Sequence, residues 1–388
     1  MGWPSQECLV GQRLEFVQRL ERGEPMAALC REYGISPKTG YKYKKRWKEG
    51  GAEALFDRSR APMKVSNRIP EPIRQQFIDK RRMYPTWGAR KLRVLVGEEH
   101  PGVKMPALST VWRILRDAGL ITPRKRRRRV PPRQKPLSHA KASNDVWCID
   151  FKGQFRTGDG KYCFPLTITD AYSRALLCCT ALESTQTGPV KSVMKEVFRT
   201  YGLPIAMRSD NGSPFASTGI QGLSKLSAWW VSLGIRLERI DPGHPEQNGQ
   251  HERMHRTLKK ETTRPAQATL LAQQEAFDRF RERFNNTRPH EALDDRRPAE
   301  LYQPSVRDYL SDVALDYPLD DLSLRVTSAG YIHPPQRLGL HRQIYVGLAL
   351  TDQYVGLREL DDGTWSVRFA DILLGDVRPG ESFLHIDP

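Results

Sequence analysis

Apolar residues recur at helical spacing over the first 120 residues and at strand-like spacing further on, and these switches of period divide the chain. Leu14, Val17 and Leu20 predict a helix over residues 11–22. A second helix runs from Pro25 to Tyr33, with Gly34 just past its end. Ser36-Pro37 then reads as the N-cap and first-turn proline of a third helix that reaches Lys48. Two short helices joined by Gly34-Ile35-Ser36 form a helix-turn-helix pattern. The third helix carries Lys38, Lys42, Lys44, Lys45, Arg46 and Lys48, with Thr39 and Tyr41 near its start. A recognition helix needs that arrangement, because early side chains meet base edges while basic ones hold phosphates. A three-helix bundle with a solvated basic face would show the same pattern; the clustering on one helix favours DNA. Helices over Pro70–Met83, Trp87–Glu99 and Ala107–Ala118, the last capped by Ser109 or Pro106 and stopped by Gly119, make a second and fainter set of this kind.

Between Asp145 and Ile240 the texture becomes α/β. VWCIDFKGQF, YCFPLTITD and RALLCCTAL read as three strands in quick succession. A helix follows, with Val190, Val193, Met194, Val197, Phe198 and Tyr201 at helical spacing. Next come a strand over Pro204–Ser209, a helix ending near Leu233, a strand over Ile235–Ile240 and a long helix from about Asn248. Three strands followed by alternating helices and strands predict a mixed sheet with helices on both faces. After Pro304, QIYVGLAL, QYVGLREL and TWSVRFAD are short strands punctuated by glycine, which predicts a small all-β barrel.

Charge sharpens this division. The 388 residues hold 62 Lys and Arg against 45 Asp and Glu, a formal +17. From Ser305 to Pro388 there are seven Arg, no Lys and thirteen acidic residues, a net of −6, which leaves +23 on residues 1–304. A field of that size favours a polyanion, nucleic acid first. Its peak is the run Arg124-Lys125-Arg126-Arg127-Arg128-Arg129, set among prolines that prevent packing, so it reads as a basic linker. No apolar stretch is long enough to span a membrane and no signal peptide is recognisable, so a soluble protein is expected. The six cysteines form no CxxC pair, and four lie in apolar runs, which favours buried thiols over disulfides or zinc.

Three carboxylates stand out. Asp150 interrupts an apolar strand, where a carboxylate is costly unless it is paired or binds a cation. Asp210 ends the fourth strand in Arg208-Ser209-Asp210-Asn211-Gly212. Asn-Gly is a hairpin signal, but Ser213-Pro214-Phe215 is no returning strand, and ligands of open α/β sheets gather at strand C-termini. Glu252 opens the long helix, sharing a stripe with Arg256 and Lys259, while Met254 and Leu258 face the other way. Taken alone, Glu252 and Arg256 also read as a surface ion pair. Asp170 reads as a turn residue before Ala171-Tyr172-Ser173, Asp241 as another, and Trp229-Trp230 as core; His244 is left open.

Trp147-Cys148-Ile149-Asp150-Phe151, Ser209-Asp210-Asn211-Gly212 and Pro245-Glu246-Gln247-Asn248-Gly249-Gln250-His251-Glu252-Arg253 together resemble the core of DDE transposases and retroviral-type integrases. The likeness is to bacterial insertion-sequence transposases of the integrase-like group. Asp170-Ala171-Tyr172-Ser173-Arg174 and Asn286-Thr287-Arg288-Pro289-His290 are similar to further stretches of that group. The chain departs from the family in the 41 residues between Asp210 and Glu252, a surplus assigned to Gly219–Trp230, and it lacks the histidine-cysteine zinc module of the retroviral kind.

The resemblance implies an RNase H-like catalytic core in which Asp150, Asp210 and Glu252 form the catalytic, metal-binding triad for two Mg²⁺ ions, with Mn²⁺ as a substitute. It implies a polynucleotidyl transferase with nuclease activity: water releases a 3′-hydroxyl at the end of a mobile element, and that hydroxyl attacks target DNA. The expected DNA contacts are Lys38, Thr39, Tyr41, Lys42, Lys45, Arg46, Arg126, Arg127, Arg128, Asn211, Asn248, Arg256 and Lys259. The expected domains are a helix-turn-helix domain (1–60), a second helical domain (66–121), the basic linker (122–140), the integrase core (141–304) and the β-barrel (305–388). Double-stranded DNA is the expected partner. Joining two ends calls for at least a dimer, working in the cytoplasm at the nucleoid and not at a membrane. Two competing functions carry the same features: a DNA-binding regulator with an idle α/β domain, and a host nuclease that cuts without joining.

Overall fold

The computed structural model describes residues 9–57, 69–121, 140–241, 245–310, 315, 317–318, 321–382 and 384–385. Two compact units divide the chain, 1–69 and 70–388.

In the first unit, helices α1 (Leu9–Glu21), α2 (Met26–Glu32) and α3 (Pro37–Gly50) bury Phe16, Val17, Leu29, Cys30, Tyr43 and Leu55 together. Gly34 takes φ +62° in the turn, and Ser36 caps α3 by accepting from the Thr39 backbone N–H at 3.2 Å, as the Ser-Pro signature predicts. Gly40 is where α3 crosses its neighbours. A β-carbon there would meet Cys30 Sγ and Met26 Sδ at 2.8 Å, so only glycine permits this approach.

The second unit begins with α4 (Glu71–Met83), α5 (Ala89–Glu99) and α6 (Leu108–Asp117), packed around Phe77, Trp87, Leu92, Val96 and Val111. Ala107 holds the cap position of α6 and makes no side-chain bond, which corrects the expected Ser109 or Pro106 cap. The α/β core follows: β1 (Val146–Phe151), β2 (Phe155–Arg156), β3 (Tyr162–Asp170), β4 (Leu176–Leu182), α7 (Thr187–Tyr201), β5 (Ala206–Ser209), α8 (Lys225–Ser232), β6 (Arg236–Arg239), α9 (Gly249–Thr262) and α10 (Leu270–Asn286). The strands lie in the order β4-β3-β1-β5-β6, with β2 also on β3. Strands β1, β3 and β4 are antiparallel, and β5 and β6 run parallel to β1, which is the mixed sheet the sequence predicts. Helices α7 and α8 cover one face through Val190, Met194, Phe198, Trp229 and Trp230. Helices α9 and α10 cover the other through Met254, Leu258, Phe277, Phe280 and Phe284. Helix α10 also closes the edge of β4. Gln274 bonds to Cys179 and Ala181, and Asn285 accepts from the Leu176 N–H while donating to its carbonyl.

The C-terminal region is not a barrel. β7 (Leu322–Arg325), β10 (Tyr354–Glu359), β11 (Trp365–Phe369) and β12 (Ile372–Val377) form an open antiparallel sheet in the order β12-β11-β10-β7. β8 (Tyr331–Ile332) and β9 (Ile344–Tyr345) pair separately. Closure would require the outer strands to meet in a staggered register. Here the apolar face of the sheet is covered instead by Ile332, Ile344 and Val346 and by Leu223, Ala228 and Val231 of the core. The segment holding Leu223, Ala228 and Val231 thus supplies a packing surface for the acidic C-terminal region. The five cysteines among the described residues are free and buried, as expected. No helix among the described residues is long and apolar enough to cross a membrane.

Candidate functional site

β1 and β5 run side by side in parallel, with Cys148 opposite Arg208. Continuing that register by two residues sets Asp150 beside Asp210, at the C-terminal ends of neighbouring strands. Asp150 is mostly buried and Asp210 is exposed just past β5. The loop holding Asp210 folds back on itself: the Gly212 N–H donates to Asp210 Oδ1 at 3.1 Å, and the Asn211 amide donates to the Ile240 carbonyl at 2.8 Å. Across the next loop, the side-chain amide of Gln247 accepts from the Asp241 N–H and donates to its carboxylate, both at 2.8 Å. The start of α9 is thereby tied to the end of β6. Asn248 is buried, and its Oδ1 has no hydrogen-bond partner among the described residues. Asn211 therefore ties the Asp210 loop to the end of β6, whereas Asn248 makes no side-chain cap bond to α9.

Two histidines fix the rotation of α9. His251 and His255, one turn apart, both reach Thr167 Oγ1, at 2.8 and 2.7 Å, and Thr169 Oγ1 lies 2.8 Å from His251 Nδ1. Thr167 donates its hydroxyl proton to the Asp150 carbonyl at 3.0 Å, so both imidazoles must donate to its oxygen from Nε2. His251 Nδ1 then accepts from Thr169, and His255 Nδ1 is left facing the Asp150 carboxylate at 3.7 Å. Burial lowers the pKa of His251 to about 3 and that of His255 to about 2, which keeps both rings neutral. With α9 clamped this way, Glu252, Arg256 and Lys259 line an open cleft together with Asp150 and Lys152.

Burial pushes the Asp150 carboxyl up to about 7, and nearby Asp210 and, more weakly, Glu252 push it the same way. Burial and Lys259 hold Lys152 below its ordinary value. Asp150, His251 and His255 approach closely enough to suggest a metal cluster, but both nitrogens of His251 are engaged by threonines. The donors open to a cation are carboxylate oxygens, which suit a hard divalent ion, and His255 Nδ1, a borderline donor.

The remaining sequence-predicted contacts lie elsewhere. On α3, Lys38, Tyr41, Lys42 and Lys45 are exposed along one face opposite Gly40 and Tyr43. Lys42 and Arg46 lie over the Tyr43 ring, and the Thr39 hydroxyl bonds to Ser36 at 3.0 Å. Arg126, Arg127, Arg128 and His244 lie outside the described residues. Asp170 is a turn residue as expected, accepting from the Asn144 N–H and from the Ser173 N–H and hydroxyl. In the sequence the i, i+4 spacing of His251 and His255 argues only against a structural zinc site; its positioning role emerges once β3 is seen to offer threonines opposite both.

Both kinds of module match known families. The integrase core domain matches residues 140–245 and again 233–298, a helix-turn-helix domain matches 12–63 and a homeodomain-like domain matches 39–115. An uncharacterized 31.7 kDa protein of insertion element IS407 from Burkholderia multivorans is 29% identical over 219 residues, covering 55% of this chain and 75% of that protein. Transposase InsD of insertion element IS2 from Escherichia coli is 28% identical over 243 residues, covering 59% of this chain and 77% of its own length. The HTLV-2 integrase catalytic core domain aligns in structure with a TM-score of 0.34 at 14% identity, over 42% of this chain and 99% of that one. Core and helix-turn-helix modules together define the class, a polynucleotidyl transferase acting in DNA recombination. Within that class these matches support an insertion-sequence transposase of the integrase-like type.

Proposed function

We propose that this chain binds the ends of a mobile DNA element, cleaves strands there and joins the resulting 3′-hydroxyls to target DNA, with Asp150, Asp210 and Glu252 as its catalytic carboxylates. The observation that supports this reading is the Asp150 carboxyl, driven up to about 7 by burial and by the other two acids. Such a cluster is unfavourable alone and favourable around a divalent cation. Asp150, Asp210 and Glu252 would hold two Mg²⁺ ions, or Mn²⁺ in their place. When bound, such ions activate the attacking oxygen and stabilise the leaving one in an in-line displacement at phosphorus. The chain's own task is positioning. His251 and His255 orient α9 so that Glu252 faces the two aspartates, and Arg256 and Lys259, one and two turns further on, hold the phosphates of the DNA end. Helix α3 reads the element end through Lys38, Thr39, Tyr41, Lys42, Lys45 and Arg46, the basic linker with Arg126, Arg127 and Arg128 adds phosphate contacts, and Asn211 and Asn248 shape the loops against the substrate. The proposed divisions are 1–60, 66–121, 122–140, 141–304 and 305–388, and the working form is at least a dimer on DNA in the cytoplasm.

The test is Asp150→Asn, assayed on duplexes carrying the element's terminal repeats. End binding is expected to persist while cleavage and the joining of pre-cut 3′-hydroxyl ends both disappear. Retained cleavage would remove the triad from the reaction. Cleavage without joining by the parent chain would make it a nuclease.

A further inference from the structure

On the side of α9 away from Glu252, a cavity of about 220 Å³ is lined by α5, the turn after β3, α9 and the segment after α10. Lys91, Arg174, Arg253, Arg288 and His290 line it, against two carboxylates, Asp170 and Glu291. Neither acid neutralises them. Asp170 is taken up by Asn144 and Ser173, and Glu291 pairs with Arg90 at 2.8 Å. Arg288 is partly structural, reaching Glu261 at 3.4 Å and lying over the Phe284 ring. Among the described residues, Lys91, Arg174 and Arg253 form no ion pair, although Glu291 and Asp295 partly offset the effect of burial and Arg288 on Lys91. Arg174 Nε is a buried donor without a hydrogen-bond partner; His290 Nε2 also lacks one, in a ring that burial keeps neutral and that donates to the Phe284 carbonyl. Burial, together with Arg288 beside Lys91 and Arg253 beside Arg174, holds Lys91 and Arg174 below their ordinary values. Gathering cations and an orphan guanidinium donor in a half-buried hollow is unfavourable unless an anion completes it.

We infer that this cavity is a second binding site, for a phosphate group, and that a backbone phosphate of a DNA strand occupies it. Guanidinium forks and N–H donors match tetrahedral phosphate oxygens. A volume of about 220 Å³ is below the roughly 300–1,000 Å³ of small-molecule pockets, so it suits a phosphate with part of its sugar better than a whole cofactor. The site also gives a use to Asp170-Ala171-Tyr172-Ser173-Arg174 and Asn286-Thr287-Arg288-Pro289-His290, which the carboxylate cleft leaves unexplained: the first presents Arg174, the second Arg288 and His290. The choice of DNA as the source rests on the transposase reading; the phosphate chemistry does not.

The experiment uses the full chain without divalent cations, so that cleavage plays no part and a failure of the carboxylate reading leaves the result intact. Equilibrium binding to duplex DNA is measured from about 50 to 200 mM salt for the parent and for Lys91→Gln/Arg253→Gln, which keeps both stems. Loss of one phosphate contact is expected to flatten the slope of log K against log salt by about 0.9. Arg199→Gln/Arg279→Gln, removing two surface arginines that pair within their own helices, is expected to keep the parental slope. In parallel, thermal unfolding is followed with and without millimolar inorganic phosphate. An unchanged slope, with phosphate stabilising the parent and not the Lys91→Gln/Arg253→Gln variant, would assign the site to free phosphate and overturn the DNA source. An unchanged slope with no phosphate effect would overturn the site altogether.

Discussion

The two sides of α9 are opposites built by one method. On the Glu252 side, burial penalises the negative charge of Asp150 in a cleft whose acids are matched by Lys152, Arg256 and Lys259; on the Arg253 side, burial penalises positive charge where cations outnumber acids. Residues 252 and 253 are adjacent in sequence, yet about 100° of helical rotation sends one to each hollow. A third stripe, Met254 and Leu258, is buried against α10. The contrast teaches that α9 acts as a partition whose rotation decides both sites at once, and that rotation is set by the His251–Thr167–His255 clamp.

The largest effect is expected from Asp150→Asn. Metal-assisted phosphoryl chemistry is worth several kcal/mol, so strand cleavage should fall on the order of 10³-fold while salt-dependent DNA binding stays parental. A simultaneous collapse of DNA binding would show that the two sides are not separable. Next, Leu258→Ala removes the buried anchor of the partition and should cost about 2–5 kcal/mol of stability, read as a lower midpoint in denaturant unfolding. Both sides should weaken together; loss of one alone would break the picture of a rigid divider. Thr167→Val keeps the shape of the clamp but leaves the imidazole donors unsatisfied, at about 1–3 kcal/mol. Cleavage should drop more than the stability loss accounts for, because Glu252 loses its orientation, and unchanged cleavage in the folded variant would discard the clamp.

The smallest effect is a pH dependence confined to the acidic side. The Asp150 carboxyl titrates near 7 in the folded chain against 3.8 ordinarily. Between those values the folded chain holds a proton that the unfolded chain has released. The stability this group contributes is therefore complete below about pH 4 and lost as pH rises through 7. A divalent cation competes with that proton, so the increase in melting temperature produced by Mg²⁺ should be larger at pH 8 than at pH 6. Equal increments at both pH values would remove Asp150 from the cation site.

Much of the core was legible because its signals are local. Ser36-Pro37, the apolar runs of β1, β3 and β4, and the stripe of Glu252, Arg256 and Lys259 need only neighbours a few residues away. Helix α10 carries an equally readable repeat in Phe277, Phe280 and Phe284, although the sequence reading assigns no element there. The barrel failed for a physical reason: strand and turn signals fix hairpins, but closure depends on whether something else covers the sheet, and here Leu223, Ala228 and Val231 do. The phosphate cavity was out of reach for the same reason. Lys91, Arg174, Arg253 and Arg288 are nearly two hundred residues apart at the extremes, and none is unusual until the fold assembles them.

The amides of Gln274 and Asn285 along β4 have a consequence for how copies of the chain can meet. An outer strand whose main-chain groups are already matched offers no template for a neighbour's backbone. Sheet-to-sheet fusion of two protomers through β4 is therefore blocked where α10 has already taken the Leu176, Cys179 and Ala181 main chain.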